Sequence, residues 1–320
     1  MAEQPVKIGL IGLGNMGRNH LRVLSMLKGA ELTFVADSDP EVAAKIGNSL
    51  LIPGVVDPAL LLERVDAVVI CTPTITHADY IQLASSRVKN IFVEKPLAAN
   101  HAEAVEIAAF ANARGLNLQV GFIERFNPAV QALRTVLERS GGVINLDFTR
   151  TNKISSRITD VDVITDLMIH DIDLALYLNG PARSVSAHGY AQSDMVDFAS
   201  ALITHQNGQF SRIQASRITD KKIRKIEGTC TDMFVDCDLL RKEILISRQA
   251  EACDAGSLPY AISAIQETVA VAPQEALLSE LQAFISICHE RGRVDVPGIE
   301  AGVEAMKICA QIQSAVKNHD

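Results

Sequence analysis

A lysine caught between a strand and a proline, and an aspartate and histidine four residues apart, are the residues of this sequence best suited to moving a proton. Lys95 stands in Val93-Glu94-Lys95-Pro96 at the C-terminal end of a predicted strand, where ligands of open α/β sheets bind. Pro96 confines Glu94-Lys95 to extended geometry. Asp166 and His170 fall on one predicted helix at spacing i, i+4, so their side chains share a face. Each has an ordinary reading too, a solvated lysine and a local surface pair. A metal is not expected, because Asp171 and Asp173 are out of register with that face and a metal site needs further ligands.

A second constellation says what the proton would accompany. Gly12-Leu13-Gly14-Asn15-Met16-Gly17 is a complete G-x-G-x-x-G between a first strand and a first helix. There the backbone amides and the helix N-terminus attract a pyrophosphate. Gly12 permits the tight turn, Gly14 the close approach of a phosphate, and Gly17 the packing of helix on strand. Asp37 lies about twenty residues further on, at the end of the second strand, where an acid accepts from the adenosine ribose hydroxyls. The next residue is Ser38 rather than an arginine, so NAD is expected over NADP; a plain loop aspartate is the alternative. Taking a hydride from a carbinol carbon requires losing the hydroxyl proton as well. His170 can accept that proton, Lys95 can stabilise developing alkoxide character, and Asp166 can orient the group and balance charge. Nothing resembles an activated serine or cysteine nucleophile.

These residues need a scaffold, and the hydrophobic pattern supplies one. Apolar strands at Val6–Gly12, Glu31–Asp37, Asp66–Cys71, Asn90–Glu94 and Asn117–Gly121 alternate with helical spacing at Met16–Lys28, from Glu41, and at His77–Arg87 and His101–Arg114. Such βα alternation predicts an α/β Rossmann fold, a doubly wound parallel sheet, over residues 1–122. Beyond Gly121 the rhythm changes. A helix opens at Pro128 and another spans about Asp162–Leu178, with close-spaced strands at Val143–Thr151, Arg183–Ala191, Val196–Thr204 and Gly208–Ser216, and more to about Ile246. Helices near Pro273–Arg291 and Gly298–Lys317 close the chain. This predicts an α+β domain over 123–320 with a large, open, mostly antiparallel sheet. Its closing helices are free to pack back on the first domain.

Composition excludes other classes. The 320-residue chain carries a formal charge of −8, which repels polyanions, so no nucleic acid is expected. The one dense basic cluster, Lys221, Lys222, Arg224 and Lys225, reads as a solvated strand edge or turn. The six cysteines, Cys71, Cys230, Cys237, Cys253, Cys288 and Cys309, form no C-x-x-C pair and read as reduced thiols. No apolar run approaches about 20 residues, and no charged-then-apolar leader opens the sequence. A cytoplasmic protein with no membrane association is expected.

With these motifs in place the sequence resembles the Gfo/Idh/MocA oxidoreductase family along essentially its whole length. The resemblance rests on Gly12–Gly17, Cys71-Thr72-Pro73 followed by His77, Glu94-Lys95-Pro96, and Asp166-Leu167-Met168-Ile169-His170-Asp171. It implies that Lys95, Asp166 and His170 are the catalytic group. It also implies that Thr72, Pro73, His77, Glu94 and Lys95 border the NAD held by Gly12, Gly14, Asn15, Met16, Gly17, Asp37 and Ser38. The open sheet of the second domain is expected to pair subunits into homodimers or homotetramers. Gly121–Pro128 and Asp166–Leu174 are similar to the branch acting on UDP-linked N-acetylated sugars, which implies oxidation of the 3-hydroxyl of UDP-N-acetylglucosamine to a keto sugar for later transamination. Beside Lys95, Asp166 and His170, substrate contacts would fall to Arg125, Phe126 and Arg157. Arg150, Lys153, Lys222 and Arg224 are further candidates for the pyrophosphate, and Phe148 for sugar stacking. A free polyol dehydrogenase, acting for example on inositol, uses the same catalytic group. A noncatalytic NAD-binding regulator leaves that group unexplained.

Overall fold

The computed structural model describes residues 4–153, 161–192, 195–249, 264–289 and 295–317. The chain divides into two compact units: unit 1 is Met1–Ile123 with Glu275–Lys307, and unit 2 is Glu124–Gln274 with Ile308–Asp320. The α-helices are α1 (Asn15–Leu24), α2 (Pro40–Leu50), α3 (His77–Ser85), α4 (His101–Arg114), α5 (Pro128–Glu138), α6 (Ile169–Asn179), α7 (Ala276–Cys288) and α8 (Ile299–Lys317). Among the described residues no helix is long and apolar enough to cross a membrane.

Unit 1 is built on a parallel sheet of β1 (Val6–Ile11), β2 (Ala30–Ala36), β3 (Gly54–Val55), β4 (Ala67–Ile70), β5 (Asn90–Glu94) and β6 (Asn117–Gly121). The order is β3-β2-β1-β4-β5-β6, with the direction of winding reversing between β1 and β4 as a doubly wound fold requires. All four residues of β4 are buried, so its Val/Ile run covers both faces and needs no polar alternation. The helices start where the side chains dictate. Asp39 Oδ1 accepts from the N–H groups of Glu41 and Val42, with Pro40 in the first helical position of α2. Asn100 caps α4 by accepting from Glu103 N–H at 3.0 Å, and Gly115, at φ 61°, ends it. The core runs from Val6, Ile8, Leu10, Val69 and Phe92 to a stripe on α7, namely Leu277, Leu281, Phe284 and Ile285. Each fully buried side chain there contributes roughly 1.5–3 kcal/mol. The unit is therefore completed by residues more than 150 positions beyond its last strand.

Unit 2 carries an eight-stranded sheet in the order β14-β13-β12-β11-β7-β10-β9-β8. Its strands are β7 (Val143–Lys153), β8 (Ala182–Gln192), β9 (Met195–His205), β10 (Phe210–Ser216), β11 (Ile218–Cys230), β12 (Phe234–Asp238), β13 (Glu243–Gln249) and β14 (Ala264–Val269). All neighbours are antiparallel except β7 and β10, which run parallel. Register sorts the two faces. Ala201, Ile213, Phe148, Ile226, Cys237 and Ile244 line up across five strand pairs and are buried beneath the helices. The neighbouring row on the other face, Leu202, Arg212, Asp147, Glu227, Asp236 and Leu245, stays open or half-open.

Three features differ from the sequence reading. The helix expected from Asp162 begins as a π-helical turn, Ile164–Met168, and only then becomes α6. The basic cluster lies on β11, between β7 and β12, beside an irregularity between Ile218 and Ile223, and so marks a bulge in an interior strand. Phe148 is 1% exposed; inward register makes it core rather than a sugar platform.

Candidate active site

In unit 1 the glycine loop closes against the end of β4. Gly12 has φ +93°, and a methyl group on it would lie 2.7 Å from the Cys71 carbonyl; only glycine fits both the angle and the space. A methyl on Gly17 would come 1.9 Å from the Gly12 carbonyl oxygen, so α1 can start only where it does. Gly14 is the opposite case. Among the described residues nothing lies within 4 Å of a methyl group there, which leaves its backbone open to a pyrophosphate at the α1 N-terminus. Asn15 and Met16 are exposed on the first turn of that helix. Asp37 is already part of the loop's architecture: Oδ2 accepts from Leu13 N–H at 2.7 Å and Oδ1 from Asp39 N–H at 3.0 Å. Each oxygen retains a second lone pair for a ribose hydroxyl. Ser38 beside it is exposed. These residues fit a dinucleotide.

The same sheet edge holds the lysine. Lys95 is half-buried, and a cis peptide joins it to Pro96. Glu94 is buried, one carboxylate oxygen accepting from Lys95 N–H at 3.1 Å and the other lying 2.7 Å from His20 Nε2. His77 is 1% exposed, with Nδ1 at 3.0 Å from the Pro96 carbonyl and Nε2 at 3.1 Å from that of Thr72. Burial pushes the His77 imidazole below its ordinary value, against the carbonyls of Thr72, Pro96 and Leu97, which favour its protonated form. His77 thus ties the Thr72-Pro73 segment to the lysine turn, while Thr72 and Pro73 themselves remain partly or fully open. His20 was not anticipated as a functional residue. Its signal was present: it falls on the inward face of α1 with Gly17, Val23 and Leu24, and a histidine there needs a buried acid.

In unit 2 the π-helical turn and α6 carry the remaining pair. Asp162 caps the turn, accepting from Thr165 N–H and Oγ1 at 2.8 and 3.0 Å. Asp166 and His170 are both partly exposed, whereas Asp171 to Ala175 are all buried, so the segment keeps this pair at the border of the interior and turns the residues after it inward. The acids out of register with the pair have interior partners. Asp171 takes a two-pronged interaction from Arg150 at 2.9 and 2.8 Å, and Arg150 also donates to Glu124 at 2.9 Å. Arg150 is 1% exposed. Burial works against its charge, but Asp171 and Glu124 outweigh this and raise its pKa. Burial likewise opposes ionisation of Glu124, and Arg150 with Arg224 overcomes it and holds the carboxyl below its ordinary value.

The candidate substrate cations separate accordingly. Arg150 is interior structure. Arg125 grips the buried Asp173 through two bonds at 2.8 and 2.6 Å and lies over the Tyr177 ring. Arg224 donates to Glu124 at 3.2 Å and stays about a third exposed. Lys153 pairs with Asp220 at the surface, Lys222 is exposed and Phe126 half-buried. Arg157 and Cys253 lie outside the described residues.

Known proteins share these features. Residues 6–122 match the oxidoreductase family with an NAD-binding Rossmann fold, and residues 144–232 match the GFO/IDH/MocA C-terminal domain. UDP-N-acetylglucosamine 3-dehydrogenase of Acidithiobacillus ferrooxidans is 32% identical over 314 residues, covering 98% of this chain and 97% of the relative. The solved structure of that enzyme has a TM-score of 0.86 at 30% identity, with 99% of each chain covered. scyllo-Inositol 2-dehydrogenase (NAD(+)) of Bacillus subtilis is 34% identical over 233 residues, 67% of this chain and 68% of the relative. The chain belongs to the Gfo/Idh/MocA oxidoreductase family and is an NAD-dependent dehydrogenase of sugar or polyol hydroxyls.

Proposed function

We propose that the protein oxidises the 3-hydroxyl of UDP-N-acetylglucosamine to the 3-keto sugar, a substrate for later transamination. The observation that carries this reading is the extent of likeness: the UDP-sugar dehydrogenase matches over 98% of the chain, the scyllo-inositol enzyme over 67%. NAD, held by Gly12, Gly14, Asn15, Met16, Gly17, Asp37 and Ser38, supplies the hydride acceptor. His170 takes the proton of the hydroxyl as the carbon–hydrogen bond breaks. Lys95 holds the oxygen's developing negative charge, and Asp166 orients and balances the cation that forms. Thr72, Pro73, His77 and Glu94 border the cofactor, directly or through the turns they hold. The substrate pyrophosphate is met by cations of unit 2, with Arg125 and Arg157 foremost and Phe126 against the sugar. The open face of the unit 2 sheet, with Leu202 and Leu245 exposed at 42% and 40%, supports assembly into a homodimer or homotetramer, which sedimentation would resolve.

The test follows NADH formation with NAD and a panel of UDP-N-acetylglucosamine, glucose and inositol, with an aminotransferase added to trap the keto product. Turnover of the UDP-sugar, with competition by UDP alone, is expected. Turnover of inositol without competition by UDP would replace this substrate by a free polyol and leave the roles of Lys95, Asp166 and His170 standing.

A further inference from the structure

Lys95 owes its place to a histidine on α1. The Glu94 carboxylate divides its work: Oε2 accepts from Lys95 N–H at 3.1 Å, and Oε1 accepts from His20 Nε2 at 2.7 Å. His20 is wholly buried. Its ring meets Phe92 edge-on with centroids 5.1 Å apart, and Phe92 meets Phe284 of α7 at 5.7 Å. Among the described residues Nδ1 of His20 has no hydrogen-bond partner, so Glu94 is the polar anchor of the ring there and the aromatic packing sets its direction. Gly121, opposite Glu94 in the β5–β6 register, keeps the space open: a methyl group there would lie 3.0 Å from Glu94 Oε2.

Cys71 Sγ lies near the same two groups, all three ligand atoms being within 4.8 Å of one another. A metal is not the better account. Two ligands at bonding distance from one tetrahedral ion stand about 3.3 Å apart, whereas His20 and Glu94 are at the 2.7 Å of a charge-assisted hydrogen bond. Burial also pushes the Cys71 thiol well above its ordinary value, which disfavours the thiolate a metal needs.

We propose that His20 is a positioning residue for Lys95, acting through Glu94: the buried ring fixes the carboxylate, and the carboxylate fixes the backbone from which the lysine projects. This rests on the assignment of Lys95 to the reacting hydroxyl. His77 secures the other side of the turn at the Pro96 carbonyl, so the lysine is held from both flanks.

The test compares wild type, His20→Leu, His20→Gln and Gly121→Ala. The first readout, independent of activity, is hydrogen exchange at the Lys95 amide, the group that Glu94 accepts from. His20→Leu is expected to speed that exchange by about tenfold or more while the amides of β1 and β4 keep their protection. His20→Gln, which can still donate to Glu94, is expected to restore it. Gly121→Ala reaches the same carboxylate without touching His20 and is expected to speed exchange as well. The second readout is kinetic: kcat falls on the order of 10- to 100-fold with KM and NAD affinity changed much less. Unchanged Lys95 exchange in His20→Leu, or equal acceleration throughout β1 and β4, overturns the proposal. Faster exchange with unchanged kcat, in an enzyme that Lys95→Met silences, overturns it too. Full activity in Lys95→Met would instead sink the catalytic assignment itself.

Discussion

Replacing Arg150 by methionine should test how unit 2 holds the segment that bears His170. Methionine fills most of the arginine's volume, so little cavity is created and the effect is electrostatic. Arg150 donates three bonds, at 2.9, 2.9 and 2.8 Å, to Asp171 and Glu124, which are 2% and 6% exposed. Removing one partner of a buried ion pair costs about 3–5 kcal/mol, because the other charge is stranded. Arg224 still reaches Glu124 at 3.2 Å, which places the expected loss toward the lower figure. At roughly 2–4 °C per kcal/mol for a domain of this size, a loss near 3 kcal/mol lowers the melting temperature by about 6–12 °C. Scanning calorimetry with and without the companion changes Glu124→Gln and Asp171→Asn measures it. The triple variant no longer buries unpaired charge and should recover at least half of the loss. A single variant melting within about 2 °C of wild type, or a triple variant no better than the single, would refute the reasoning. Since Asp171 directly follows His170, the same variant should lose kcat more than NAD affinity.

Other perturbations separate roles that a single assay would merge. Lys95→Met is expected to abolish turnover while NAD affinity, followed by fluorescence titration, stays within about threefold of wild type. Gly14→Ala should leave the melting temperature unchanged, because its methyl meets no protein atom within 4 Å, yet weaken NAD by about tenfold or more by intruding on the pyrophosphate. Gly12→Ala, with φ +93° and a backbone clash at 2.7 Å, should lower both stability and NAD affinity. Acid should destabilise the protein as pH falls below 6.5, the ordinary value from which burial lowers His77 and His205. The sign follows because the unfolded chain then binds protons that the folded one refuses. Thermal melts between neutral pH and about 5 check this, and His77→Gln should flatten the slope.

What the sequence disclosed depended on how local the physics was. The glycines of the dinucleotide loop were legible because each answers to a steric demand within a strand–turn–helix. The strands β4 and β5 were legible because burial on both faces leaves short unbroken apolar runs, Ala67–Ile70 and Ile91-Phe92-Val93. Gly54–Val55 is a strand only by its pairing with Val35 and Ala36, and two residues leave no pattern. The π-helical turn before α6 has no side-chain signature, since it differs from an α-helix only in closing its backbone hydrogen bonds at i→i+5 instead of i→i+4. Asp171 and Asp173 were seen to fall out of register with His170, but not to point inward at Arg150 and Arg125. Those arginines stand 21 and 48 positions away, and pairing at that separation belongs to the tertiary fold. Reading Arg150 as a substrate cation followed from its chemistry; its commitment to two buried acids is visible only in three dimensions.

The last consequence concerns synthesis rather than catalysis. The apolar strip on α7 that packs against α1, β5 and β6 is made after every strand of unit 2. On a ribosome moving at about 5–20 residues per second, the roughly 150 residues between the two parts of unit 1 take on the order of 8–30 s. Throughout that interval the nascent dinucleotide-binding half carries Phe92 and the inward face of α1 without the Phe284 side of their packing, as a sticky surface that folding alone cannot hide. The half that binds the cofactor is the first to be begun, yet it waits for a helix made after every strand of the other half, which makes it the natural client for a chaperone.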